Sequence, residues 1–190
     1  ITPGTIRALA RDRNAEAELV AVQIDAHADL RADYEGSAFS HACAARRMLD
    51  HCPIFQIGIR NLSAGEEKFR KGSKRVETWF AEDIIGTQGA SDSFSDCLKA
   101  LARFVRKKRV YLTIDLDGLD PSIMPAVGTP EPGGLSWEMV LQICRTIAAE
   151  AASLPAFDIV ELAPIPGMRA PDFLAAKLAY KLMSLALLPK

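Results

Sequence analysis

Leu19-Val-Ala-Val-Gln-Ile24 is a short apolar run, and Asp25-Ala-His-Ala-Asp29 follows it directly. The apolar run is typical of a buried β-strand. In an extended chain alternate side chains point the same way, so Asp25, His27 and Asp29 can converge on one point with only small alanines between them. Any one of these aspartates could simply begin a turn. Together, two carboxylates and an imidazole suit a divalent metal such as manganese or zinc.

Helical and strand-like segments alternate along the rest of the chain. The predicted strands are 19–24, 54–59, 76–80, 110–114 and 157–160. The predicted helices are 2–11, 39–50, 63–71, 92–107, 136–152 and 171–187. Ser91 or Asp92 can cap the fourth helix, Ser136 can cap the fifth, and Pro171 suits the first position of the last. This alternation predicts an α/β fold, a three-layer αβα arrangement with a mostly parallel sheet, and no composition break marks a second domain.

A second acidic run, Asp115-Leu-Asp-Gly-Leu-Asp-Pro, follows the strand 110–114. Asp115 and Asp117 again share a direction. The calcium loop of an EF-hand is excluded, because its sixth position is Asp120 rather than glycine and its twelfth is Ala126 rather than glutamate. Asp120 stands before a proline, which favours a turn-forming role over a metal-binding one.

Glu161 directly follows the predicted strand 157–160. In open α/β sheets, functional sites form outside the carboxyl ends of the strands. Three predicted strands therefore each end in acidic residues at the matching place. Their convergence predicts a metal-dependent catalytic site.

Three motifs resemble the signatures of ureohydrolases, the family of arginases and agmatinases. They are 25–29, the run Thr113-Ile-Asp-Leu-Asp-Gly-Leu-Asp-Pro121 and the run Gly128-Thr-Pro-Glu-Pro-Gly-Gly134. Residues 158–164 resemble the late strand of that family, which carries a substrate-binding glutamate. The matches occur in family order, so the resemblance implies one ureohydrolase-like catalytic domain over residues 1–190 with an arginase-like fold.

The resemblance implies a centre of two manganese ions. Asp25 and Asp115 would bridge both ions, His27 and Asp117 would bind one, and Asp29 would bind the other. Water between two such cations loses a proton easily and becomes a nucleophile. It would attack the guanidinium carbon of the substrate.

The resemblance also implies roles for three residues around the metals. Asp29 would pass a proton to the leaving nitrogen as a general acid. Glu161 would hold the guanidinium group through charge-assisted hydrogen bonds. His41, at the start of a predicted helix, resembles the family histidine that contacts substrate or relays protons. His51 has no such support and is interpreted as structural.

The segment 30–37 indicates the substrate. Arginases use an asparagine and serines after the first motif to hold the amino-acid carboxylate, and no asparagine stands here. The segment resembles agmatinases, which implies hydrolysis of agmatine to putrescine and urea. Asp33 or Glu35 could attract the ammonium end of agmatine. The alternatives are a guanidinobutyrase, an arginase or an impaired homologue acting as a non-catalytic subunit.

Family members have a longer N-terminal part that ends in a Gly-Gly-Asp/Glu-His segment. The present sequence begins at Ile1, beyond that histidine. By the resemblance, the metal bound by Asp29 lacks one ligand, and either the natural protein is longer or the chain is a truncated relative. We therefore expect an exposed strand edge or apolar surface, and incomplete activity of these 190 residues alone.

Composition excludes several other classes. The formal net charge of −1 gives no electrostatic basis for nucleic-acid binding, and the basic run 106–109 stands at a predicted helix end. No apolar run is long enough to span a bilayer, and we expect no secretory signal. The four cysteines lack the spacing of a zinc site or a disulfide framework. We expect a cytoplasmic homo-oligomer whose partner is a small guanidine, with no nucleic-acid or membrane partner.

Two rival families remain to be weighed. A haloacid-dehalogenase-like phosphatase shares an Asp-x-Asp-Gly run, but Leu119 stands where that family has threonine. A histone-deacetylase-like amidohydrolase binds one zinc and does not need Asp29 and Asp117 together. Two manganese ions per chain would favour the ureohydrolase over both.

Overall fold

A computed structural model describes residues 1–12, 16–86 and 93–187, and within them the central element is a parallel sheet of five strands. The strands are β1 Leu19–Ile24, β2 Ile54–Ile59, β3 Val76–Phe80, β4 Arg109–Asp115 and β5 Ser153–Val160. The helices are α1 Thr2–Ala10, α2 Ala44–Met48, α3 Ala64–Gly72, α4 Ala81–Ile85, α5 Ser93–Val105, α6 Trp137–Glu150 and α7 Arg169–Leu187. Two short 3₁₀ turns are His41–Cys43 and Leu116–Gly118. The strand order is β3-β2-β1-β4-β5, and every neighbouring pair is parallel.

Helices cover both faces of the sheet. Alternate residues of β1 enter different cores because successive side chains of a strand point to opposite faces. Val20, Val22 and Ile24 pack in the core that α4, α5, α6 and α7 complete. Leu19 and Ala21 pack in a second core with residues of α1 and α2. This confirms the predicted three-layer αβα arrangement.

The strand order places a topological switch between β1 and β4. From β1 the chain builds the sheet one way through β2 and β3, and then returns to add β4 and β5 on the other side. Ile24 is paired with Ile114, so Asp25 and Asp115 leave the sheet side by side. Ligands of open α/β sheets bind outside the carboxyl ends of the strands at such a switch point.

Most predicted elements are confirmed, and the differences concern the bounds of three elements and one additional helix. The strand predicted from 157 begins at Ser153 instead, and it tolerates Pro155 because it lies at the edge of the sheet. The prediction that Pro171 begins the last helix is wrong, because α7 begins at Arg169. Proline fits there because the first N–H groups of a helix have no partner within it. The predicted caps Ser91 and Asp92 lie outside the described residues.

The predicted helix 39–50 is shorter in the structure. It begins with the 3₁₀ turn His41–Cys43 and continues as α2 Ala44–Met48, and Phe39 is exposed. Helix α4 was not predicted. Across the described parts of the chain, none of the helices has the length and apolar character needed to cross a membrane.

Candidate metal centre

Asp25, His27 and Asp117 form a compact metal-ligand cluster at the switch point. One potential ligand atom from each lies within 4.8 Å of the others. His27 Nδ1 is 2.9 Å from Asp117 Oδ2 and 3.7 Å from Asp25 Oδ1. Both carboxylates are buried, whereas the His27 side chain is 26% exposed. The cluster therefore opens toward solvent on the imidazole side.

Backbone N–H groups orient the carboxylates of the cluster. Asp25 Oδ1 accepts a hydrogen bond from the His27 N–H at 2.6 Å, and Asp115 Oδ1 accepts one from the Asp117 N–H at 2.9 Å. Each aspartate that follows a strand thus closes the turn after it. Asp117 Oδ1 accepts a further bond from the Ala26 N–H at 3.0 Å, which joins the ends of β1 and β4.

Gly118 allows this close approach of the two strand ends. A Cβ atom at that position would lie 2.9 Å from the Asp25 nitrogen and 3.0 Å from Ile24 Cγ2. Cβ atoms in proteins essentially never approach a backbone atom more closely than 3.0 Å. Glycine at this place is required by the packing of the metal-ligand turns.

A row of buried polar side chains supports Asp25 from beneath. Gln23 Nε2 donates to Asp25 Oδ2 at 2.7 Å, and Gln56 Nε2 donates to Gln23 Oε1 at 2.9 Å and to the Ala28 carbonyl at 2.7 Å. Thr78 Oγ1 donates to Gln56 Oε1 at 2.9 Å, which extends the row to β3. This row was not predicted, although a glutamine inside each of two apolar strands was the available signal.

Arg60, which follows β2, was also missed. Its Nη2 atom donates to the carbonyl oxygens of Asp117 and Glu131, both at 2.7 Å. Its other nitrogens donate to the carbonyls of Gly58 at 3.0 Å and Pro132 at 3.1 Å. One guanidinium group therefore joins the metal-ligand turn to the loop that contains Glu131.

Two further side chains, those of Thr129 and Asp120, join the loop 128–134 to the metal-ligand turn. Thr129 Oγ1 donates to Asp117 Oδ2 at 3.3 Å. Asp120 accepts three hydrogen bonds that hold its own turn and the end of the loop. The donors are the backbone N–H groups of Ser122, Gly133 and Gly134, each at 3.0 Å. The interpretation of Asp120 as a turn-forming residue is confirmed.

The cluster carries unbalanced negative charge. Burial, followed by repulsion from Asp25 and Asp117, raises the pKa of Asp115 to about 10. Burial also raises the pKa of Asp25 to about 6 and that of Asp29 well above its ordinary value. Hydrogen bonding to Asp117 raises the pKa of His27 to about 10. Burial acts to raise the pKa of Asp117 as well, but the His27 hydrogen bond and other donors lower it overall.

These donors fit a divalent metal. Carboxylate oxygens and an imidazole nitrogen are the ligand types that manganese and zinc accept. A dication would offset the repulsion that raises the pKa of Asp115 and would let that carboxylate ionise. Asp25, His27 and Asp117 are the residues that the structure brings together, and Asp115 stands beside them.

Asp29 and Glu161 share an unusual backbone conformation. Their φ angles are 54° and 66°, in the left-handed region. Such a conformation costs a residue other than glycine about 1–3 kcal/mol and concentrates at functional sites. Asp29 is held by a hydrogen bond from the Arg46 N–H to its carbonyl at 3.0 Å. Glu161 is exposed directly after β5.

His41 lies apart from the metal-ligand cluster in its contacts. It is exposed, its ring is 5.6 Å from the Tyr34 ring between centroids, and its Nδ1 is 3.4 Å from Ser40 Oγ. Within residues 1–12, 16–86 and 93–187, no hydrogen bond or ion pair joins His41 to the cluster. Its predicted catalytic role stays a prediction.

Comparison with known proteins gives a consistent answer. Residues 1–184 match the family described as the arginase family. An N(1)-aminopropylagmatine ureohydrolase of Synechocystis sp. is 39% identical over 184 residues, which are 96% of this chain and 56% of that protein. An agmatinase of Halalkalibacterium halodurans is 33% identical over 150 residues, 77% of this chain and 48% of that protein.

Solved structures agree with the sequence comparison. The agmatine ureohydrolase of Thermoplasma volcanium superposes with a TM-score of 0.80 at 33% identity, covering 98% of this chain and 59% of that chain. The present chain spans about half the length of the curated relatives it matches.

Proposed function

The chain belongs to the arginase family, and we propose that the protein hydrolyses a small guanidino compound to urea and an amine, with agmatine as substrate and putrescine as the amine. The observation that carries this proposal is the cluster of Asp25, His27 and Asp117 at the switch point between β1 and β4. Residues 1–190 would form one catalytic domain. The whole protein would act as a cytoplasmic homo-oligomer in polyamine biosynthesis.

We propose that five residues hold two Mn²⁺ ions. Asp25 and Asp115 would bridge the ions, His27 and Asp117 would bind one, and Asp29 would bind the other. Two such ions would supply a nucleophile from water at neutral pH and would stabilise developing negative charge. The order of these residues along the ends of β1 and β4 supports the assignment.

The remaining chemistry belongs to side chains around the metals. Glu161, exposed at the end of β5, would bind the guanidinium group and orient its carbon toward the cluster. Asp29 would hold the proton that the leaving nitrogen requires. His41 would contact substrate or relay protons.

The substrate proposal rests on the segment 30–37 and on the relatives. That segment lacks the asparagine expected of an arginine site. The two candidate substrates are agmatine and N(1)-aminopropylagmatine. One relative is named an agmatinase, and the relative that is 39% identical is named an N(1)-aminopropylagmatine ureohydrolase. Both substrates combine a guanidinium group with a cationic tail.

Urea release by the full-length protein with Mn²⁺ tests the proposal. Agmatine, N(1)-aminopropylagmatine, arginine and guanidinobutyrate are compared at equal concentration. We expect kcat/KM to be highest for one of the two substrates with a cationic tail. Preference for arginine or guanidinobutyrate would reassign the substrate, and no urea from any of the four would leave the non-catalytic alternative.

Metal analysis tests the centre itself. We expect two manganese ions per full-length chain, and one zinc ion or none would contradict the proposal. Asp117→Asn removes a proposed ligand and should lower the bound manganese. Asp96→Asn, an exposed aspartate of α5 that pairs with Lys99, is the matched control and should leave the metal content unchanged.

A further inference from the structure

Glu131 places a carboxylate beside the metal-ligand cluster that the proposed metal shell does not use. Its Oε1 atom lies 3.9 Å from His27 Nε2, and its side chain is 31% exposed. The opposite nitrogen of the ring, Nδ1, faces Asp117 at 2.9 Å. A metal bound through Nδ1 would therefore leave Glu131 on the far side of the imidazole, where the cluster opens to solvent.

The Glu131 carboxylate is held in place although it is partly exposed. Asn61 Nδ2 donates to its Oε1 atom at 2.5 Å. The Arg60 guanidinium binds its carbonyl oxygen through Nη2 at 2.7 Å and through Nε at 3.2 Å. Both backbone and side chain are thus fixed before any ligand arrives. A preorganised carboxylate binds a cation with little further loss of conformational entropy.

The strand ends that lead to Asn61, the partner of Glu131, and to Glu161 lie on opposite sides of the cluster. Asn61, which holds Glu131, follows β2, whereas Glu161 follows β5. The order β2-β1-β4-β5 puts three strand spacings between these ends, about 14 Å in all. The cluster at the ends of β1 and β4 lies between them. This arrangement suits a ligand with one cation at each end of a flexible chain.

We propose that Glu131 is a specificity-determining residue that binds the ammonium end of an aminoalkylguanidine while Glu161 holds the guanidinium end; this inference rests on the proposed function. Glu131 is better suited to this role than Asp33 or Glu35. Both of those residues are exposed, and across the described ranges no hydrogen bond or ion pair orients either carboxylate. Charge-assisted hydrogen bonds from an ammonium group to a fixed carboxylate discriminate against substrates that lack the ammonium.

The variant Glu131→Gln in the full-length, manganese-loaded protein tests the role of the charge. Glutamine keeps an oxygen that can accept the Asn61 hydrogen bond, so the loop retains its support. Agmatine is compared with butylguanidine, which has the same chain without the ammonium group. We expect the KM for agmatine to rise about 10- to 100-fold, the size of one charge-assisted hydrogen bond. The KM for butylguanidine and both kcat values should stay unchanged.

Binding of 1,4-diaminobutane gives a second readout that does not need turnover. Its inhibition constant should rise in parallel with the KM for agmatine. Glu82→Gln is the matched control, because it removes an equal charge from an exposed position at the start of α4, and it should change neither value.

Two outcomes would overturn the inference. If Glu131 instead supports His27, the Glu131→Gln variant will lose manganese affinity and kcat for both guanidines, and the ratio of their KM values will not move. If the wild-type protein releases urea from no guanidine, the proposed function fails by itself. Calorimetry then still decides the role of Glu131, since equal agmatine affinity in wild type and variant refutes it and weaker affinity in the variant supports it.

Discussion

Replacing Arg60 with methionine should destabilise the metal centre more than the same replacement of an exposed arginine. The guanidinium group directly links the metal-ligand turn to the loop 128–134, because its Nη2 atom binds the carbonyls of both Asp117 and Glu131. Methionine keeps much of the apolar stem and removes every donor. The carbonyl oxygens would then have to find other partners.

The two shortest bonds set the size of the effect. Each is 2.7 Å long and has a charged donor, and such bonds contribute about 1.5–3 kcal/mol apiece. Water can reach part of the vacated space because Arg60 is only half-buried, so the lower end of the sum applies. We expect Arg60→Met to lower the free energy of unfolding by about 3 kcal/mol. Arg60→Lys keeps the charge but loses the fork geometry, and should fall between wild type and methionine.

Urea denaturation of the metal-free protein measures this loss, and calorimetry measures the affinity for Mn²⁺. Residues that orient metal ligands change metal affinity about 10- to 100-fold when removed, and we expect a fall of that size for Arg60→Met. Arg106→Met is the control, because the Arg106 side chain is 60% exposed and pairs with Glu150 on α6 at 3.2 Å. Such a pair contributes below about 1 kcal/mol. Equal losses in the two variants, or an unchanged Mn²⁺ affinity in Arg60→Met, would refute the reasoning.

Two further outcomes follow from the cluster. Gly118→Ala should lower the free energy of unfolding by about 1–3 kcal/mol and weaken Mn²⁺ binding, because the new Cβ would lie 2.9 Å from the Asp25 nitrogen. Gly128→Ala is the control: a Cβ there would meet no heavy atom within 4 Å, so this variant should match wild type in a manganese titration. The metal-free protein should become less stable as pH rises from about 6.5 toward 10. The pKa of His27 and that of Asp115 are both raised to about 10, so the folded state keeps two protons that the unfolded chain releases. Urea midpoints that stay level or rise between pH 7 and 9.5 would contradict this, and Asp115→Asn should flatten the trend.

The fold and the proposed ligands could be predicted because their signals are local. Strands β1, β2 and β3 have the predicted bounds, since each is a short run that the sequence itself delimits. Asp25 and His27 are two residues apart after a strand, and Asp115 and Asp117 repeat the pattern. Strand geometry alone turns that spacing into a shared direction.

The supporting residues could not be predicted because their partners are distant in sequence. Arg60 is separated from Asp117 by 57 positions and from Glu131 by 71. No spacing rule connects an arginine after one strand to a carbonyl after another. Gln23 and Gln56, 33 positions apart, reveal their pairing only when β1 and β2 lie side by side.

The burial of several carboxylates at the site is unfavourable for folding, and Gln23 and Arg60, which were not predicted, help to hold them in place. Burial raises the pKa of both Asp25 and Asp115, and repulsion from Asp117 adds to the rise in each, which costs folding free energy at neutral pH. A site of this kind persists only if its surroundings over-determine its geometry. Gln23 does so by donating to Asp25, and Arg60 does so by fixing the turn of Asp117 from the side. Arg60 binds the backbone carbonyl of Asp117 rather than its carboxylate, so it fixes the turn without occupying a proposed metal ligand. A dication held by the carboxylates would offset their repulsion.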